Sequence, residues 1–196
     1  ISFSTTADEE LFGVSLGSLN SVSNCATLAP GAGSVLSSYS NYTTAFTAPL
    51  LVAGTSYSGS VTAGYCGTTA FSNIVSMYID FNRNGVFDAS ENVWNSAYGA
   101  KSLPSQVLPF SFTVPSTVSY GFTRMRVVIN ESSTAPATGA FSYGEAEDYT
   151  VQLVGGSGFN YSWTMNGSSI TPTNGSYALP TAGTYNFAVT GTDANG

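Results

Sequence analysis

The chain has 196 residues, room for one full domain with a remainder or for two small ones. Only 8% of residues are charged, against about 25% in an average domain, yet 42% are hydrophobic and 13% aromatic, a balance that argues for a packed core and against disorder. Four basic residues against eleven acidic ones give a net charge of −7, which leaves no basic stripe for nucleic acid or an anionic membrane surface. The absence of His removes His-dependent triads and the usual zinc sites.

The polarity comes instead from 30 Ser, 23 Thr, 21 Gly and 12 Tyr. The opening Ile1-Ser2-Phe3-Ser4 carries neither a basic nor an apolar leader, so it reads as the start of a mature or excised segment. No apolar run approaches the roughly 18–20 residues of a membrane span, and membrane insertion is not expected.

In chain order, period-two alternation dominates. Phe12, Val14 and Leu16 alternate with small or polar residues, as do Tyr57, Gly59 and Val61. Gly13-Val14-Ser15-Leu16-Gly17 matches the G-x-S-x-G spacing of a nucleophile elbow. It lies inside an alternating strand in a chain without His, and is dismissed as a catalytic motif. Asn73–Phe81 puts Val75, Met77, Ile79 and Phe81 on one face. Phe110, Phe112 and Val114 repeat the pattern, and Met125, Val127 and Ile129 oppose Arg124 and Arg126. Tyr149, Val151 and Leu153 close the region. Short alternating strands punctuated by Gly, Asn, Ser and Pro predict an all-β fold, an antiparallel sandwich of jelly-roll or immunoglobulin-like type, over residues 1–154.

Residues 155–158, Gly-Gly-Ser-Gly, read as a flexible linker. Residues 159–196 carry Phe159, Tyr161 and Trp163, turns at Asn166-Gly167 and Asn174-Gly175, and a strand with Tyr185, Phe187 and Val189. A sandwich needs about 100 residues, so this stretch is expected to be a second, incomplete immunoglobulin-like segment, completed from elsewhere or cut. Cys25 and Cys66, the only cysteines, predict one disulfide and an oxidising, extracellular setting. Closing that loop is worth about 4 kcal/mol in the chain-entropy treatment.

One segment carries specific chemistry. Residues 80–91, DFNRNGVFDASE, fit D-x-[DN]-x-[DN]-G-x5-E without a gap. Asp80, Asn82 and Asn84 offer side-chain oxygens from alternate positions, Gly85 permits the turn, and Val86 offers its carbonyl. Asp88 sits at the often water-mediated ninth position, and Glu91 can close the shell with two oxygens. Hard oxygen donors in a flexible loop select Ca2+ over Mg2+ and zinc. The simpler reading is an Asn/Gly-rich turn with incidental carboxylates. A strand enters the loop, and a sensor works by changing the angle between two helices, so a structural ion is expected.

The runs Met77–Asp88, Thr123-Arg124-Met125-Arg126-Val127 and Gly144-Glu145-Ala146-Glu147-Asp148-Tyr149-Thr150 together resemble the GEVED domain, a module of secreted and surface proteins of bacteria. Asp8–Asn20 and Tyr39-Ser40-Asn41-Tyr42-Thr43 look like its amino-terminal part, which extends the resemblance over residues 8–154. Ala146 replaces the signature Val, and Asn41 stands where an acidic residue is common. The tail is similar to strands of immunoglobulin-like or PKD-like repeats, with Ser162-Trp163-Thr164 as the core-Trp strand and Ala182-Gly183-Thr184-Tyr185 through Asp193–Gly196 as the closing hairpin. Neither resemblance implies catalysis.

Asp8, Glu9, Glu10, Glu145, Glu147 and Asp148 concentrate six of the eleven acids. Arg124 and Arg126 share a strand face and are expected to pair with this group; a second metal site at Glu145, Glu147 or Asp148 is the other reading. The functional expectation is a non-catalytic, calcium-stabilised structural or adhesive module of a bacterial surface protein. Its partners would be copies of itself or neighbouring domains, joined by strand exchange into a filament. The alternative is an ancillary carbohydrate-binding domain of a secreted hydrolase, with Trp94, Tyr98 and other Tyr rings stacking on a glycan.

Overall fold

The computed structural model describes residues 1–4, 7–155, 160–171 and 177–192. The turn at Asn174-Gly175, Phe159, most of the Gly/Ser linker and Asp193–Gly196 lie outside them. The chain forms two compact units, Ile1–Val154 and Gly155–Gly196.

The first unit holds β1 (Ser2–Phe3), β2 (Glu9–Leu16), β3 (Leu19–Val22), β4 (Tyr39–Asn41), β5 (Leu50–Val52), β6 (Ser56–Tyr65) and β7 (Ser72–Ile79). A 3-10 turn at Ala89–Glu91 leads to β8 (Asn92–Asn95), followed by β9 (Gly99–Ala100), β10 (Ser105–Thr113), β11 (Gly121–Asn130), β12 (Ala140–Phe141) and β13 (Gly144–Val154). One sheet runs β10-β6-β2-β3, antiparallel throughout. The other runs β4-β13-β11-β7-β8, with β5 also on β13 and β9 on β7. This second sheet is mixed and not purely antiparallel. Its edge on β13 is made by two three-residue strands, β4 and β5, that both run parallel to it.

The alternation read from the sequence buries one face of each sheet against the other. Leu11, Val14, Leu16, Val61 and Phe110 meet Met77, Ile79, Met125, Val127, Tyr149 and Val151 in one core. Each fully buried aliphatic side chain there contributes about 1.5–3 kcal/mol by leaving water. The seven-stranded sheet is also covered on its back, where Phe3, Val128, Ala135 and Ala146 form a smaller cluster. Ala146 is fully buried beside Val128, its register partner. Arg126 and Asp148 on that back face of β11 and β13 are desolvated, and must find partners within the protein.

β2 bulges between Leu11 and Gly13. The bulge reverses which face the odd-numbered residues take, so Leu11 and Val14 both point into the core. The stretch Gly13–Gly17 is β2 and the turn after it, a strand-to-strand connection with no nucleophile elbow. Cys25 and Cys66 form the expected disulfide, with Cα atoms 5.5 Å apart.

The second unit is a three-stranded antiparallel sheet, ordered β15 (Ser168–Ile170), β14 (Asn160–Met165) and β16 (Phe187–Thr192). Asn166 and Gly167 link β14 to β15 with φ of 50° and 79°, the paired positive angles of a type I′ hairpin turn that Asn-Gly favours.

Candidate metal centre

β7 ends at Ile79 on the inner layer, and the chain turns out into the loop 80–91. The turn is anchored to β11: the Asp80 N–H donates to the Arg124 carbonyl (3.0 Å), and the Thr123 hydroxyl donates to the Asp80 carbonyl (2.6 Å). Within the loop, side-chain oxygens gather backbone amides. Asp80 Oδ1 and Oδ2 accept the N–H groups of Asn84 and Gly85 (3.1 and 3.0 Å). Asn82 Oδ1 accepts from Asn84 N–H (2.9 Å), and Asn84 Oδ1 from Val86 N–H (2.8 Å). Gly85 takes φ +81°, with open space where a Cβ would stand. Asp88 Oδ2 accepts instead from the side-chain Nδ2 groups of Asn82 and Asn84 (3.0 and 3.4 Å).

Glu91 differs from the bidentate closure that the spacing predicts. It is buried, its Oε1 accepts the N–H groups of Phe81 and Asn82 (2.8 and 3.2 Å), and its Oε2 accepts that of Asp88 (2.9 Å). It holds the two ends of the loop together through backbone amides. An ionised carboxylate oxygen can accept more than one bond, so the Asp80 oxygens, Asp88 and Glu91 Oε2 keep capacity for a cation. The donors fit a hard ion, since every one is oxygen and the chain has no His and no free Cys. A cavity of about 390 Å3 adjoins the loop between Asp80, Gly85, Thr123 and Arg124.

The acidic signature is split by strand alternation. On the back face of the sheet, Asp148 is paired in register with Arg126 through two bonds, Nε to Oδ1 (2.6 Å) and Nη2 to Oδ2 (2.7 Å). Tyr39 donates its hydroxyl to the same carboxylate (2.7 Å), and the exposed Arg124 stands 3.6 Å away. Arg126 spends Nη1 on the Ala137 carbonyl (2.7 Å), and its guanidinium lies 5.2 Å from the centre of the Phe87 ring. Asp148, Arg126 and Phe87 thus tie the signature to the loop. Gly144 sits at φ +124°, where a side chain would run into the Ile129 carbonyl, so the signature must begin with glycine.

Glu145 and Glu147 point the other way, toward β2 and the inter-sheet core, and neither pairs with arginine. Glu145 accepts the Ser40 hydroxyl (2.6 Å) and the Leu11 N–H (3.0 Å), and Glu147 accepts the Tyr149 hydroxyl (2.6 Å). Glu10 joins them. Its Oε1, Glu147 Oε1 and the Tyr42 hydroxyl are buried and have no hydrogen-bond partner among the described residues. Burial pushes Glu147 well above the usual carboxyl range, with the Glu145 charge adding to it. Burial and the neighbouring Glu145 push Glu10 up to about 9. Burial thus disfavours the ionised form of each carboxyl in this group.

The sequence reading missed Lys101, whose buried Nζ is capped by the carbonyls of Asn73, Ala97 and Gly99 at 2.8–3.0 Å. It also placed Trp94 among candidate stacking rings. Trp94 packs on Phe110, with centroids 5.8 Å apart, at the edge of the core, while Tyr98 is exposed. Asn41 holds a turn together: its Oδ1 accepts from Thr43 and its Nδ2 donates to the Ala32 carbonyl, a donor an acidic residue would lack.

Residues 74–152 match the GEVED domain family, a span that runs from β7 to β13 and takes in the loop and the acidic signature. No curated protein matches the chain. Among solved structures, the chain is similar to a CARDB domain from Pyrococcus furiosus crystallised in complex with di-metal ions, at 19% identity and a TM-score of 0.36, covering 56% of this chain and 87% of that one. Among the described residues, no helix is long and apolar enough to cross a membrane.

Proposed function

We propose that this chain is a non-catalytic, calcium-stabilised structural or adhesive module of an extracellular bacterial surface protein. The observation that carries the reading is the loop 80–91. A segment that fits the oxygen-ligand spacing without a gap is anchored by hydrogen bonds to the central strand β11 and by Phe87 to the Arg126–Asp148 pair. Asp80, Asn82, Asn84, Asp88 and the Val86 carbonyl would hold the ion, with Glu91 fastening the ends. Calcium there would fix the solvent-exposed stretch Asn82–Val86, which is structural work. The disulfide supports an oxidising compartment.

The same reading gives the second unit a role in assembly. Its sheet has three strands, among the described residues nothing pairs with the outer edges of β15 and β16, and Phe187 and Val189 are half exposed. Strand addition from another copy or a neighbouring domain would cover such edges.

Titration calorimetry on chelator-treated protein tests the loop. Loss of one calcium equivalent in an Asp80→Asn/Asp88→Asn variant, together with a smaller calcium-induced rise in melting temperature than in the wild type, is the expected outcome. Unchanged binding by that variant would reject the loop as the site.

A further inference from the structure

We infer that Asp8, Glu9 and Glu131 form a second calcium site, separate from the loop, that clamps the ends of the two sheets together. Asp8 precedes β2 and Glu9 begins it, on the four-stranded sheet, whereas Glu131 follows β11 on the seven-stranded one. The fold brings one carboxylate oxygen from each to within 4.8 Å of the others. Three acidic groups from two sheets converge across more than a hundred residues of chain.

Convergence alone is common at protein surfaces, and a second observation points to a ligand. Glu9 is fully buried; its Oε1 accepts the Phe71 N–H (3.3 Å), and its Oε2 is buried with no hydrogen-bond partner among the described residues. An orphaned carboxylate oxygen on a residue grouped with two further carboxylates is relieved by a proton or by a positive neighbour, and the crowding of three acids favours the second.

The chain cannot supply that neighbour from a side chain. Its four basic residues are all committed elsewhere: Arg83 to the carbonyls of Tyr120 and Phe122, Lys101 to three carbonyls, Arg124 and Arg126 to Asp148. A divalent cation is the remaining source of charge. Asp8 and Glu131 are half-buried, so an ion can enter from solvent while Glu9 supplies the buried side of the shell. All three ligands are carboxylates on separate segments, a donor set suited to the flexible geometry of Ca2+. The Asp8 carbonyl accepts the Cys66 N–H (2.9 Å), so the clamp abuts the disulfide and would reinforce the same end of the sandwich.

This site is argued independently of the loop, and the test separates the two. Chelator-treated whole chain is titrated with CaCl2 by calorimetry as wild type, as Glu131→Gln, and as Asp80→Asn/Asp88→Asn. Two ions in the wild type and one in each variant is the expected result, with calcium still raising the melting temperature of the loop variant. A wild type that binds a single ion lost on Glu131→Gln sustains this site and removes the loop. A wild type whose binding is the same in Glu131→Gln, or is abolished by the loop variant alone, overturns it. Asp8→Asn repeats the test at a second half-buried ligand, so a folding defect in one variant leaves the question decidable.

Discussion

Asp148 and Arg126 show how much one residue pair can be asked to do. Both are buried, they meet through two short bonds, and Tyr39 and the Ala137 carbonyl satisfy the remaining groups. Removing either partner leaves the other charge buried and alone, which costs about 3–5 kcal/mol. Arg126→Ala is therefore expected to lower stability by that amount in urea unfolding. Arg126→Lys should recover only part of it, because an ammonium cannot reproduce the two-pronged contact. Because Phe87 rests on the same guanidinium, calcium affinity of the loop should fall in both variants. A loop affinity indifferent to Arg126→Ala would detach the acidic signature from the metal centre.

At the scale of elements, β13 carries two chemistries on one strand. Its period-two alternation sends Asp148 to the arginines and Glu145 and Glu147 to the core. The acids on the core side face Glu10, Tyr42, Ser40 and Tyr149, with no cation among them. Their folded-state titration lies above the ordinary carboxyl range, so the native state holds protons that the unfolded chain releases. That contribution to stability is complete below about pH 4.5 and is lost as pH rises toward the raised values, about 9 for Glu10. In chelator, the melting temperature should decline from pH 5 to pH 9, and Glu147→Gln, neutral at every pH, should flatten the decline. An equally steep profile in Glu147→Gln would show that another group controls it.

The same elements show what could be read from the residues alone. The strands were legible because alternation is local, and the candidate loop stands out because its oxygen-bearing positions fall within twelve consecutive residues. Which acids meet which bases was not. Arg126 and Asp148 find each other through strand register, Glu10 reaches Glu145 from the opposite sheet, and Glu131 approaches Asp8 and Glu9 over a separation no motif spans. Lys101 escaped notice because its partners are carbonyls, which every residue carries. The parallel edge strands β4 and β5 were hidden by their length, since three residues show no period.

For the whole molecule, two devices act on the same sandwich. The disulfide secures one end, where an ion at the proposed Asp8–Glu9–Glu131 site would add to it, and the loop 80–91 is fastened to the middle strands of the larger sheet. The second unit contributes a small open sheet, and the assembly reading predicts that the chain with calcium associates with itself as concentration rises in sedimentation velocity. A single monomeric species at every concentration would count against strand exchange while leaving the calcium reading untouched. The central claim concerns the ion itself, and crystals grown in calcium address it most directly. The account predicts an anomalous-scattering peak enclosed by Asp80, Asn82, Asn84, Asp88 and the Val86 carbonyl, whereas a well-ordered loop without such a peak would contradict it.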